Sequence, residues 1–179
     1  MLFASAVLAL LPTVAERAGH SSLAYGLLLG CFGAPLLDEP LPPVLGQYTQ
    51  PHTKRWAAKI AEFDAFVFVT AEYNHGIPGA LKNGIDFLFR EWNHKAAGFV
   101  SYGGANGVRA VERLRLVLAE LHVATVRSQV QLSMFTDFEK FSTFTPAASR
   151  EAEVNRMIDD VVRWGTALKP LRSDSVAAA

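Results

Sequence analysis

The chain has 179 residues, half of them hydrophobic and 19% charged, with Lys+Arg and Asp+Glu both at 17. That length suits one domain and that apolar fraction suits a sizeable core, which excludes a disordered chain. Zero formal charge argues against nucleic acid as the main partner, and the single cysteine, Cys31, excludes an internal disulfide framework or a cysteine-based zinc site.

Met1–Leu11 (MLFASAVLALL) is apolar, yet no basic residue precedes it and it falls short of the ~20 residues that span a bilayer. A buried first strand or helix is the preferred reading over a signal peptide. No other apolar run is long enough for a membrane, so a soluble, cytoplasmic protein is expected. Leu23–Leu29 is a short apolar run, broken by Gly30, Gly33 and Pro35, and the proline-rich stretch Leu37–Pro43 is an irregular surface connection. Thr53–Phe63 carries Trp56, Ile60 and Phe63 at helical spacing, with Lys54, Arg55 and Lys59 elsewhere on its surface.

Phe66–Val69 (FVFV), within Ala65–Thr70, is continuous and apolar, as in a strand buried on both faces of a parallel sheet. Pro78–Leu88 is a helix with Pro78 near its first turn, and Gly98–Tyr102 (GFVSY) is another buried strand. Gly107–Leu121 is the clearest amphipathic helix, with Val108, Val111, Leu114, Leu118 and Leu121 opposite Arg109, Glu112, Arg113 and Glu120. Val123–Leu132 contains a last strand, Ser149–Leu168 forms a closing helix, and Ser173–Ala179 is expected to be a disordered tail. No internal repeat or second-domain linker is present.

Alternating hydrophobic strands and helices define an α/β doubly wound sheet with right-handed crossovers. Such sheets bind ligands outside the carboxyl ends of their strands, which points to the segments after Thr70 and after Tyr102. The first joins Tyr73, Asn74 and glycines to a helix start. The second, Ser101-Tyr102-Gly103-Gly104-Ala105-Asn106-Gly107, lets backbone approach a planar ligand, with the next helix directing its positive end there. Either loop alone is more often a tight turn than a ligand cradle, and either tyrosine could simply cover the sheet edge. Together, at consecutive strand ends, they favour a site. His75 and His94 carry no metal-ligand spacing and are read as surface residues.

Glu72-Tyr73-Asn74-His75-Gly76-Ile77-Pro78-Gly79-Ala80-Leu81-Lys82-Asn83-Gly84-Ile85-Asp86 resembles the EYN-x-x-x-P-x-x-LKN-x-x-D signature of the NADPH-dependent FMN reductases. Val100-Ser101-Tyr102-Gly103-Gly104 is similar to that family's VSYGG segment, and Glu91-Trp92 and Lys95 also fall at familiar places. The likeness runs from about Leu36 to Gln131. It implies a flavodoxin-like doubly wound parallel sheet with helices on both faces, forming one FMN-binding domain over residues 1–172. It also implies hydride transfer from NADPH or NADH through bound FMN to a quinone, azo compound, metal ion or free flavin. By position, Glu72, Tyr73, Asn74 and Gly76 would touch the flavin from one side, and Ser101, Tyr102, Gly103, Gly104 and Gly107 from the other. The flavin carries the redox chemistry, so no residue is assigned as a general acid or base.

The resemblance further implies a homodimer or tetramer formed through the Pro78–Phe89 helix, each flavin pocket being completed by the partner. The residues suggest the same surface: Leu81, Ile85 and Leu88 share one stripe, leaving Phe87, Phe89 and Trp92 as surplus aromatics that mark an interface. Cover by the Leu36–Val44 segment is the alternative.

One departure stands out. The family opens with a strand running into a GS-x-R-x-G-type phosphate loop, whereas Met1–Pro12 has no glycine and the first basic residue is Arg17. Ser5 is the only candidate remnant, with Val7 and Ala9 where Arg and Gly are expected, and Ala71 replaces a common proline. The first strand is therefore expected to be short or missing, and the phosphate weakly held, so that riboflavin binds almost as well as FMN. Two alternatives stand beside the enzyme: a flavodoxin-like scaffold that acts as a non-enzymatic binding or interaction protein, and a true start upstream of Met1. The colour of the purified protein separates enzyme from scaffold.

Overall fold

The computed structural model describes residues 37–176. The expectations for Met1–Leu11, Leu23–Leu29, Cys31 and the phosphate loop fall outside that range, as do residues 177–179. Helix α1 (Pro51–Ala61) leads into strand β1 (Ala65–Ala71), helix α2 (Gly79–Asp86) and strand β2 (Ala96–Gly103). Helix α3 (Val108–Glu120) and strand β3 (Ala124–Ser133) follow. A small antiparallel pair, β4 (Phe138–Glu139) and β5 (Thr143–Phe144), precedes the closing helix α4 (Ser149–Val176).

The three longer strands are parallel in the order β1-β2-β3, paired from Ala65↔Ala96 to Ala71↔Tyr102 and from Ala96↔Ala124 to Gly103↔Ser133. Parallel neighbours require crossovers, and α2 and α3 occupy them. Period-two alternation then sends the side chains to two cores. Phe66, Phe68, Ala97 and Phe99 pack with Ile60, Ile85, Leu114 and Leu118 on one face. Val67, Val100, Val126 and Val130 pack with Val154, Met157, Ile158 and Val161 of α4 on the other. Burial on both faces explains why these strands are continuous apolar runs. At Gly98 a Cβ would lie 2.7 Å from Val161 Cγ2, so the glycine lets α4 seat directly on β2.

Two expectations change. Helix α2 ends at Asp86, and the chain folds back through a 3-10 turn at Arg90–Trp92. Trp92 is fully buried: its Nε1–H donates to Ile85 O at 3.1 Å, and its ring meets Phe66, Phe68 and Trp56 at 5.0–6.2 Å. Phe87 is buried with its ring against His52 of α1, while Leu37 and Val44 bond Asn83 and Arg90 on either side of it. These aromatics are core, and a charge at Trp92 would sit inside the domain rather than in a subunit contact.

The closing helix runs past Leu168, through Pro170 and across the boundary expected at Ser173. Side chains flanking the proline anchor its end. Lys169 Nζ donates to Asp64 Oδ2 at 2.9 Å, while Arg172 bonds the Asp64 carboxylate and donates to His94 O at 2.6 Å.

Candidate functional site

The sheet register sets Ala71 beside Tyr102, and Glu72 N–H donates to Tyr102 O at 3.1 Å, so the two loops leave the carboxyl edge side by side. Tyr73 and Gly76 exchange both backbone bonds, at 3.0 and 2.9 Å, around Asn74 (φ 47°) and His75 (φ 69°). Two consecutive left-handed residues are what a two-residue hairpin turn requires, and Asn tolerates that geometry well. Tyr73, Asn74 and His75 are exposed at its tip. In the second loop Asn106 N–H closes a turn on Gly103 O at 3.0 Å.

The glycines divide by cause. Gly103 (φ 153°) and Gly107 (φ 71°) adopt backbone that side chains rarely tolerate, and a Cβ on Gly107 would lie 2.6 Å from Ser101 Cβ. The fold itself requires them. Gly104 has neither property: a Cβ there meets no described atom within 4 Å, and at Gly76 it meets only Tyr73 O at 3.9 Å. No described residue fills the space beside Gly104. Among the described residues, the Gly104 and Ala105 N–H groups find no acceptor, leaving two adjacent donors at that edge.

Tyr102 and Tyr73 stand near one another. Burial, then the neighbouring Tyr73, pushes the Tyr102 phenol above its usual range and keeps it protonated. The Tyr73 ring is 65% exposed. An open glycine, two free amide donors and an exposed ring suit a flat heteroaromatic ligand with hydrogen-bonding edges.

Other expected contact residues are engaged by the protein. The Glu72 carboxylate, almost wholly buried, accepts from Arg109 N (3.1 Å), Ala110 N (3.4 Å) and Arg109 Nε (2.6 Å). Burial works to raise its pKa, but the bonds from Arg109 and Ala110 prevail and hold the carboxyl below its usual range. The α3 N-terminus therefore serves Glu72: Val108 and Val111 N–H bond Ala105 O and Gly107 O, and the remaining early amides go to the carboxylate. The expectation that this helix end faces the ligand is corrected. Ser101 is buried, its hydroxyl donating to Asn106 O at 2.8 Å and accepting from Gln129 Nε2 at 3.1 Å.

Sequence reasoning missed Arg109 and Gln129 as supports, because only the strand pairing brings them to Glu72 and Ser101, and it missed Asn106 because its carbonyl rather than its side chain takes the Ser101 bond. The second half of the long motif is structural. Asn83 Oδ1 accepts from Leu37 N at 3.1 Å, Gly84 O accepts from Trp56 Nε1 at 2.9 Å, and Lys82 pairs with Asp86. No cluster of possible metal ligands occurs among the described residues. His75 is exposed, whereas His94 is half-buried against the His122 ring at 5.8 Å.

The family model for NADPH-dependent FMN reductase matches residues 6–137. An NAD(P)H-dependent FMN reductase of Schizosaccharomyces pombe is 44% identical over 102 residues, 56% of this chain and 51% of the relative. A potato (Solanum tuberosum) NAD(P)H:quinone oxidoreductase is 37% identical over 115 residues, 61% and 58% respectively. The matched segments thus span little more than half of these curated relatives. The flavoenzyme NAD(P)H:(acceptor) oxidoreductase of Paracoccus denitrificans shares the fold, with TM-score 0.67, 21% identity and 90% of each chain covered.

Proposed function

The chain belongs to the NADPH-dependent FMN reductase family, and from that premise we propose that it is an FMN-dependent NAD(P)H oxidoreductase acting on a small acceptor such as a quinone or azo compound. The observation that carries the reading is that, among the described residues, nothing fills the space at Gly104 and the Gly104 and Ala105 amides beside it have no acceptor. A glycine that its own fold does not need, next to unused donors, fits the polar edge of an isoalloxazine approaching backbone closely.

In this reading Gly104 and Ala105 N–H hold the pyrimidine edge, and Tyr102 and Tyr73 wall the ring. Asn74 and Gly76 present the hairpin from the other side. Glu72, Ser101 and Gly107 act one layer behind, fixing the loops. Bound FMN supplies the hydride chemistry, and the chain supplies binding, orientation and a dry edge. NADPH or NADH is the donor.

Purified protein should be yellow, release FMN on heating, and consume NADPH when a quinone is added. A colourless preparation that leaves added FMN fluorescence unquenched overturns the proposal and favours the scaffold reading.

A homodimer is the proposed assembly, supported by the family resemblance alone now that Trp92 and Phe87 lie in the core. Sedimentation at micromolar concentration decides it. The proposed compartment is the cytoplasm, which maintains a pool of reduced nicotinamide nucleotide. Imaging of a tagged chain checks that.

A further inference from the structure

The pairing of β2 with β3 is interrupted. Ala97 lies opposite Thr125, but Phe99 lies opposite Gln129, so β3 carries two extra residues where an unbroken ladder would set Arg127 beside Phe99. The irregularity is pinned from both faces of the sheet. Arg115 of α3 lies 4.6 Å from the Phe99 ring centroid and donates to Val126 O at 2.7 Å. Ser128 Oγ donates to Asp160 of α4 at 2.6 Å.

In the shifted register Gln129 stands opposite Phe99 and Gln131 opposite Ser101, so the Gln129 amide reaches the buried Ser101 hydroxyl diagonally across the strand pair. Gln129 Nε2 donates to Ser101 Oγ at 3.1 Å, and Ser101 Oγ donates onward to Asn106 O at 2.8 Å. A hydroxyl rotor is free to choose its acceptor. With its lone pair taken by the amide, its proton is directed to Asn106, the residue whose own N–H closes the turn on Gly103. That turn carries the unused Gly104 and Ala105 amides.

We propose that Gln129 is a positioning residue: through Ser101 it fixes the Gly103–Asn106 turn so that the two amides are presented to the flavin edge. The inference rests on the reading of this loop as the flavin site. It adds a residue from the neighbouring strand that touches no ligand.

The test uses Gln129→Leu, which removes the donor, and Gln129→Glu, which keeps length and shape but draws the Ser101 proton away from Asn106. In the protein without added flavin, both should speed amide hydrogen exchange at Asn106 and Val108 about tenfold. Both should also weaken FMN and riboflavin about tenfold and equally, because the turn holds the ring and not the phosphate. In a Ser101→Ala background neither substitution should add anything. Unchanged exchange, a full additive effect without Ser101, or normal behaviour of Gln129→Glu overturns the proposal. Wild-type protein that binds no flavin overturns the functional reading instead, and the exchange measurement still decides the role of Gln129.

Discussion

The two ends of the parallel sheet treat their polar groups in opposite ways. At the amino edge the groups consume one another: buried Lys95 donates to Ile60 O at 2.6 Å, and Asp64 holds both Lys169 and Arg172. At the carboxyl edge equal care goes into Glu72, Ser101 and Gly107, yet the satisfied layer ends one residue short of the surface. Beyond it, among the described residues, nothing fills the space at Gly104 and two amides lack acceptors. Incomplete satisfaction on a rigid support distinguishes a binding edge from a structural one.

The sharpest way to break the comparison is to substitute two glycines three residues apart. Gly107→Val puts a Cβ 2.6 Å from Ser101 Cβ on backbone at φ 71°, combining overpacking with left-handed strain. It should cost about 3 kcal/mol, read as a lowered denaturant midpoint. At Gly104 a Cβ meets no described atom within 4 Å, so Gly104→Val should leave that midpoint within about 0.5 kcal/mol while abolishing flavin retention. Equal destabilisation by both, or unchanged FMN affinity in Gly104→Val, would erase the distinction.

What the sequence disclosed follows the same division. Phe66–Val69 and Gly98–Tyr102 were legible as doubly buried strands because burial on both faces leaves no polar positions, and the loops were legible as unusual. The direction of each side chain was not. Glu72 looks like a ligand contact until the register sets β1 beside β2 and aims its carboxylate at α3. Trp92 looks like a surface anchor because periodicity cannot show that α2 stops at Asp86 without a glycine or proline to end it. Gln129 depends on the pairing of β2 with β3, which periodicity does not give, and Asp137 on a fold-back that sets Arg150 Nε 3.0 Å from its carboxylate.

The amino edge predicts a pH effect without a binding effect. Burial, reinforced by Arg172 and partly opposed by Asp64 and Glu91, lowers the Lys95 pKa from 10.5 to about 8. Below pH 8 the folded state carries a buried ammonium and its full cost. Between about 8 and 10.5 the unfolded chain binds more protons, so stability rises with pH. Lys95→Met should remove this rise, about 2 kcal/mol between pH 7 and 10 relative to wild type. Ile60 O keeps the Phe63 N–H as a partner, and flavin affinity at pH 7 should not move. Parallel pH–stability curves for the two proteins would show that Lys95 is not the titrating group.

The smallest effect tests whether Glu72 belongs to the supporting layer or to the ligand. Its carboxyl is held below the usual 4.5 by Arg109 and Ala110 against the opposing pull of burial. The stability it contributes is present above that ordinary value and lost as pH falls through the folded one. Glu72→Gln keeps an acceptor for one partner but surrenders the charge, and should cost about 1 kcal/mol at pH 7. The acid-side loss of stability should shrink with it. Flavin affinity should change less than about threefold, since a neutral amide can still tie the first loop to the α3 N-terminus. A carboxylate in contact with the flavin would give the opposite pattern, with affinity falling steeply while the acid limb of the stability curve stays as it was. That result would move Glu72 from the brace to the binding edge, and the boundary between the two layers with it.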